Sequence, residues 1–522
     1  MESFCFYYGC SFRSIVKAGN YLLLKAAGLL VLSLTACGEL DDSYSTNPGH
    51  RLSFSVDTLS FDTVFTTVGS ATRTLMVYNR NEEALNIETI RLDNEPGAGG
   101  SHFSFNVDGR SGEAFSNIRL EGKDSLYVFI EVVVDPTGED SPLRIEGHLS
   151  FTVNGAAQRL TLQAYGQDVN LYKGGLTIIR DTMWTAERPY LIYDSIVVGS
   201  GATLTIAKGA TFYMHDKARW VVKGAIKATG TMEEPVVFRG DRLDNLMTDL
   251  PYDRVANQWD GLYFEAGSFG NEMSHVIVRN GNGGLCFAES TAGESKLKIS
   301  DSQVTNMEQS VMTAANCLIE AINTEFSNAT GYVMSLSGGD YHFIHCTLAN
   351  YYIIKPGRLG LPVLRLANYT LDNTTGEEAV NKSLRLNAVF DNCLIDGNFS
   401  EGNEPLKGEL SVDVSGSEAM DFLFNHCAVK TKQTDDARFI NTRLINKDNA
   451  PVYKSTGSSE NGFSFNFRPD TAKVVIGLAD PAISALYPLD RFGVNRIESS
   501  DGPDIGAYEY VPEPEKEISA LR

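Results

Sequence analysis

From residue 50 to 170 the chain runs in short segments where apolar and polar residues alternate, as in Leu85-Asn86-Ile87-Glu88 and Leu160-Thr161-Leu162-Gln163. A period of two buries one face of a strand. Residues 75–78, 85–92, 103–107, 125–134, 149–153 and 159–165 are rich in β-branched and aromatic side chains. Turn signals separate them: Asn79-Arg80-Asn81, Pro96-Gly97, Asp108-Gly109, Asp135-Pro136 and Asn154-Gly155. Roughly seven strands in this space predict an immunoglobulin-like β-sandwich over residues 51–172. The stretch holds no cysteine, so no inter-sheet disulfide is expected.

Beyond residue 173 a different pattern sets in: polar, small, any, branched or aromatic apolar, any, Asn. It reads His275-Val276-Ile277-Val278-Arg279-Asn280, then Asp301-Ser302-Gln303-Val304-Thr305-Asn306. It returns as Asn323-Thr324-Glu325-Phe326-Ser327-Asn328 and His345-Cys346-Thr347-Leu348-Ala349-Asn350, with degenerate copies from Asn392 and His426. The small slot recurs at 276, 302, 324, 346, 393 and 427, in steps of 26, 22, 22, 47 and 34. Steps of 22–26 fit one coil of a parallel β-helix, whose repeats bury their apolar face only by stacking. The step of 34 is one coil with a surface loop; the step of 47 is two coils, or one with an insertion. The small and apolar slots point inward. The Asn slot falls at a corner, where left-handed backbone suits Asn. Asn280, Asn306, Asn328 and Asn350 are therefore expected to form a structural ladder rather than a ligand site.

The strings Gly201-Ala202-Thr203-Leu204-Thr205-Ile206, Trp220-Val221-Val222 and Trp259-Asp260-Gly261-Leu262-Tyr263-Phe264 resemble the opening coils of right-handed parallel β-helix proteins. Asp62-Thr63-Val64-Phe65, Asp124-Ser125-Leu126 and Ala164-Tyr165-Gly166-Gln167 look like N-terminal modules of Bacteroidetes surface lipoproteins, which precede a β-helix. Asp504-Ile505-Gly506-Ala507-Tyr508-Glu509 resembles the closing segment of secreted bacterial β-helix proteins. These resemblances imply an all-β chain: a sandwich, a pectate-lyase-like β-helix over 173–510, and a flexible tail at 511–522.

At the other end, Arg13, Lys17 and Lys25 precede an apolar run from Ala26 to Leu34 that is too short to span a bilayer. It ends Leu34-Thr35-Ala36-Cys37, which resembles the lipobox of bacterial lipoproteins. That resemblance implies cleavage after residue 36 and lipidation of Cys37. Residues 37–50 then form an acidic tether; Glu39, Asp41 and Asp42 resemble the surface-export signal of Bacteroidetes lipoproteins. The expected location is the bacterial outer membrane, facing outward, with the membrane as a partner through the lipid. Three basic residues and one acidic residue leave with the leader, taking the net charge from −22 to −24. That charge excludes a nucleic-acid partner, because phosphate binding needs basic patches. It also means an acidic polysaccharide needs a local basic patch or a bridging cation.

Candidate chemistry is sparse. Glycoside hydrolysis needs converging carboxylates, and no Gly-His-Gly or Arg-x-Lys string accompanies Asp435-Asp436, the one Asp pair within the repeat region. Asn381-Lys382-Ser383 is a faint echo of chondroitinase-type lyases without its partner strings. His275, His345 and His426 fall on nonadjacent coils and cannot share a metal. Cys286, Cys317, Cys346, Cys393 and Cys427 are expected to be reduced and to pack as small hydrophobes. Several Asp-Ser/Thr-apolar strings look like the O-glycosylation sequon of Bacteroidetes exported proteins. No catalytic residue, metal or cofactor is assigned; calcium stays open as a bridging cation, with no residues named for it. The leading expectation is a noncatalytic surface protein that binds polysaccharide or another macromolecule. The insertions at 241–258, 355–386 and 398–420 are the candidate presenters. A lyase or hydrolase with an unrecognised site, and a purely structural envelope component, stay open. Clustered carboxylates with Lys or Arg on one face would favour the enzyme.

Overall fold

The computed structural model describes residues 43–512 apart from 95–101, 373–378, 400–407, 416, 433–436, 447–449, 451–452 and 471–473. Cys37, the leader, most of the tether, Asp435-Asp436 and the tail from 513 lie outside the described residues. The chain is nearly all β, with large parallel sheets.

Residues 52–167 form two five-stranded sheets. Their pairings are antiparallel except that Thr58–Phe65 runs parallel to Ala156–Gln167. The alternating residues of both sheets meet in one apolar cluster that includes Leu75, Val77, Ile87, Val128, Phe151 and Leu162. The strand count is ten rather than about seven; Leu52–Phe54, Thr58–Phe65, Arg110–Gly112 and Ala114–Leu120 lie outside the runs that alternation picks out.

From Asn170–Tyr172 onward every pairing within the two largest sheets is parallel. Each turn of the chain contributes one strand to an eleven-stranded sheet and two segments to a seventeen-stranded sheet. Thr347–Asn350 pairs directly with Leu394–Gly397, so the 47-residue step is one turn carrying an insertion. Inward residues stack in register. Phe343, Phe390, Phe424 and Phe439 lie on successive turns, with ring centroids 4.9, 4.9 and 5.2 Å apart, which is the spacing of hydrogen-bonded strands.

Two columns of left-handed residues make the corners. Asn280, Asn306 and Asn328 have φ of 70°, 59° and 57°; Asn350 does not share the conformation. The second column is the polar slot that opens each repeat: His275, Asp301, Asn323, His345, Asn392, His426 and Asn441, all with φ of 47–54°. His, Asp and Asn tolerate this region better than other non-glycine residues, which explains why they interchange there.

The left-handed corner displaces the next N–H from the strand ladder, and the small slot repairs the loss. Val276 N–H donates to Ser302 Oγ at 2.9 Å, Cys346 N–H to Cys393 Sγ at 3.4 Å, Cys393 N–H to Cys427 Sγ at 3.3 Å, and Cys427 N–H to Thr442 Oγ1 at 3.3 Å. In each of these turns the same hydroxyl or thiol faces the carbonyl two residues earlier. Buried backbone groups are almost always paired. Where Ser302, Cys393, Cys427 and Thr442 stand, the slot supplies a hydrogen-bonding atom, whereas Val276 in the same slot cannot; the buried thiols pack in the apolar core as expected, and two of them accept a backbone N–H in addition. The five cysteines among the described residues are free; four are buried and Cys286 is partly buried.

The C-terminal segment lies flat on the outer face of the eleven-stranded sheet. Gly506 N–H donates to Asn392 O at 2.8 Å, Ala507 N–H to Thr347 Oγ1 at 2.9 Å, and Tyr508 OH to Glu325. Strands Glu325–Ala329, Thr347–Asn350 and Leu394–Gly397 are consequently buried on both faces. Arg496, fully buried, ties the segment together through Glu509 at 2.6 Å, Asn323 at 3.1 Å and Gly506 O at 3.2 Å.

Candidate functional site

The ladder asparagines are all buried and bonded to the fold. Asn328 donates to Asn306 Oδ1 at 3.4 Å, the one coil-to-coil amide bond of the four. Asn350 pairs with Ala329 through both its N–H and C=O groups. Asn280 instead holds the insertion, donating to Tyr252 O, Asp253 O and Val255 O at 3.4, 3.0 and 3.0 Å. None of the four faces solvent.

That insertion borders a cleft of about 270 Å³ between the N-terminal sheets and the parallel stack. Junctions of this kind are common ligand sites. Thr63, Val64 and Phe65 line one wall, and the Phe65 ring packs on Tyr213 with centroids 4.7 Å apart. The opposite wall carries His215, whose Nδ1 sits 2.7 Å from Asp241 Oδ2, with Tyr193 against the imidazole at 4.1 Å. Burial raises the Asp241 carboxyl above its usual range, against the hydrogen bond from His215. Arg242 forks onto Asp244 at 2.7 and 2.6 Å and lies over the Tyr252 ring at 4.0 Å.

Beside the cleft, Arg239 follows Tyr213 in the outward column of the sheet, and Arg279 follows Arg239. Both guanidiniums approach the same oxygen, Asp253 Oδ1, at 3.1 and 3.0 Å. That oxygen has no aligned hydrogen bond, and the Nε groups of Arg254 and Arg279 have no partner. Burial lowers Arg279 to about 10, and Arg239 and Arg254 push the same way against the pull of Asp253.

A second polar surface lies on the seventeen-stranded sheet. Lys227, Glu272, Lys298, Glu320 and His342 occupy one outward column on successive turns. His342 Nε2 is 2.7 Å from Asp391 Oδ2, and Asn425 donates to the other oxygen of Asp391 at 2.8 Å. Arg385 Nη1 donates to both oxygens of Asp340 at 3.0 and 3.1 Å, with Asn387 donating to Asp340 Oδ1 at 3.0 Å. Tyr487 covers the edge; burial, then Glu320 and Asp391, raise its phenol. This is a cluster of carboxylates, a histidine and an arginine on one face, assembled from turns far apart in sequence. Asp340 and Asp391 are each held by two side-chain partners: Arg385 and Asn387 for Asp340, His342 and Asn425 for Asp391. Among the described residues no group of three or more His, Cys, Asp or Glu is arranged to hold a metal.

Lys382 is exposed and paired with Glu289 at 2.5 Å. The insertion at 355–386 is anchored by the buried pair Arg358–Glu409 at 2.7 Å.

The sequence reading missed a third surface. In Ser125–Val133, Leu126, Val128, Ile130 and Val132 point into the core while Tyr127, Phe129 and Val133 are 54%, 40% and 42% exposed. The Tyr127 and Phe129 rings are nearly parallel, 12° apart in plane with centroids at 6.3 Å. Thr74 and Asn106 flank Phe129 across the ladder, and Thr72 donates to Glu131 at 2.5 Å. A mostly apolar run reads as buried on both faces; only the sheet geometry shows that this outward face is left exposed among the described residues.

No family model matches the chain, and no curated protein does. Among solved structures, a family 123 glycoside hydrolase from Clostridium perfringens, reported for glycolipid glycan hydrolysis, aligns over 22% of this chain and 26% of its own, at 10% identity and a TM-score of 0.16. That likeness is too slight to carry an argument, and the aligned region spans about a quarter of the hydrolase.

Proposed function

We propose that this is a lipid-anchored bacterial envelope protein of the Bacteroidetes type, held at the outer membrane through Cys37. Its immunoglobulin-like sandwich and right-handed parallel β-helix serve as a noncatalytic scaffold that binds glycan. The observation that carries the reading is the Tyr127–Phe129 pair, two nearly parallel exposed rings rimmed by hydroxyl and amide groups. Exposed aromatic patches with a polar rim mark binding surfaces, and flat rings suit the apolar faces of sugar rings.

The experiment is a glycan array probed with the exported chain and with a Tyr127→Ala/Phe129→Ala variant. Binding that the double variant loses, with its melting temperature unchanged, supports the reading; equal binding by both sinks it. Palmitate labelling that disappears in Cys37→Ala tests the anchor. The enzymatic alternative draws on the Glu320–His342–Asp391 surface. Release of an unsaturated product from a uronate polysaccharide, abolished by His342→Ala, would replace the binding reading with a lyase.

A further inference from the structure

We infer that the arginines at the base of the 241–258 insertion form an anion site that takes the carboxylate or sulfate group of an acidic glycan. The inference rests on the glycan reading above and specifies its ligand.

The argument begins with charge. The chain carries −22 overall, yet Arg239 and Arg279 converge here on a single carboxylate, Asp253, and Arg254 is close enough for its charge to act on Arg279. The surrounding carboxylates are already engaged: Asp244 by the fork of Arg242, Asp241 by His215. Arg239 and Arg279 are only 13% and 23% exposed. Arg239 also donates to Gly240 O and Arg242 O, both at 3.2 Å, but the Nε groups of Arg254 and Arg279 have no partner; a buried guanidinium without full compensation is unfavourable, and a second anion would relieve the repulsion. If the arginines served only to pin the insertion, one would suffice, because Asn280 and the Ala256 N–H to Tyr352 OH bond at 3.0 Å already hold the loop.

The chemistry of the donors points to an oxyanion. Guanidinium is planar and forks onto carboxylate or sulfate, which a lysine ammonium does not do. Tyr213 lies beneath Arg239, its ring centroid 5.7 Å from the guanidinium carbon. Phe65 extends the same aromatic wall into the cleft. Aromatic wall and cationic fork together suit a sugar ring bearing one acidic group. The site also supplies the local basic patch that so acidic a chain needs before it can approach an acidic polymer.

The test is isothermal titration calorimetry on the exported chain with tri-galacturonate, the matching neutral galactose trimer, and sodium sulfate as competitor. The acidic trimer should bind, sulfate should displace it, and affinity should fall with added salt. Arg279→Gln should weaken binding roughly tenfold or more, with Arg279→Lys intermediate. Asp253→Asn removes the competing carboxylate and should tighten binding by roughly threefold or more. A clamp without a ligand predicts no gain from that substitution. Should Arg279→Gln fail to fold, Asp253→Asn and the acidic–neutral comparison decide. Equal affinity for the acidic and neutral trimers, or weaker binding by an Asp253→Asn chain that melts like the parent, overturns the inference while leaving glycan binding standing. Failure of every glycan to bind overturns the glycan reading itself.

Discussion

Cys393 offers the sharpest test of how the parallel stack is held together. Its sulfur is fully buried. It accepts the Cys346 N–H at 3.4 Å and faces Phe343 O and Asp391 O at 3.3 and 3.2 Å. Cys393→Ala leaves the Cys346 N–H without a partner, at a cost of about 1–3 kcal/mol for a buried orphaned donor. Loss of the sulfur's packing adds about 1 kcal/mol. Cys393→Val restores volume but still orphans the amide, so about 1–3 kcal/mol remains. Cys393→Ser keeps both a donor and an acceptor, as Ser302 and Thr442 do on other turns, and should cost under about 1 kcal/mol. The predicted order of stability is therefore Ser above Val and Ala. An apolar slot gives the reverse order, because burying a hydroxyl without need costs about 1–3 kcal/mol. Urea unfolding of the three variants under reducing conditions, followed by circular dichroism, separates the two. If Ala or Val proves at least as stable as Ser, the hydrogen-bonding account of the slot is wrong.

The buried C-terminal clasp should respond to pH. Burial raises Glu509 from 4.5 to about 7, with Arg496 opposing the shift. Its folded form thus holds a proton that the unfolded chain has released between about pH 4.5 and 7. The stabilisation is complete below pH 4.5 and is lost as pH rises through 7, by about 3 kcal/mol at 1.36 kcal/mol per unit. Hydrogen exchange at residues 503–510 should accelerate from pH 5.5 to 8 beyond the intrinsic rate, and Glu509→Gln should flatten that response; an unchanged profile refutes the assignment. Gly506 has φ of 104°, and an added Cβ would stand 2.8 Å from Thr347 Oγ1. Gly506→Ala should release the segment from the sheet, exposing residues 503–512 to limited proteolysis while the parallel sheets keep their circular dichroism.

The sequence by itself determined where the longer apolar strands fall and which of their faces turn inward, because burial of alternate side chains writes a period of two directly into the chain. It also determined the spacing of the turns, through the recurring small slot at 276, 302, 324 and 346. The polar slot that opens each repeat was visible as a pattern. Its left-handed backbone was not, since His, Asp and Asn share no obvious property until the φ angles of 47–54° are seen.

Tertiary structure alone decided what covers each outer face. Thr347 and Leu394 are buried because residues more than a hundred positions away lie across them, and alternation carries no information about such a partner. The same holds for the candidate sites. Arg239, Asp253 and Arg279 meet because a loop folds back on adjacent turns, and His342 reaches Asp391 across a 49-residue separation. Tyr127 and Phe129 look like core residues in the sequence, and remain exposed because no other element among the described residues packs on that side of their sheet. Local pattern fixes the inward face of a strand, whereas the outward face depends on which distant segment, if any, comes to rest on it.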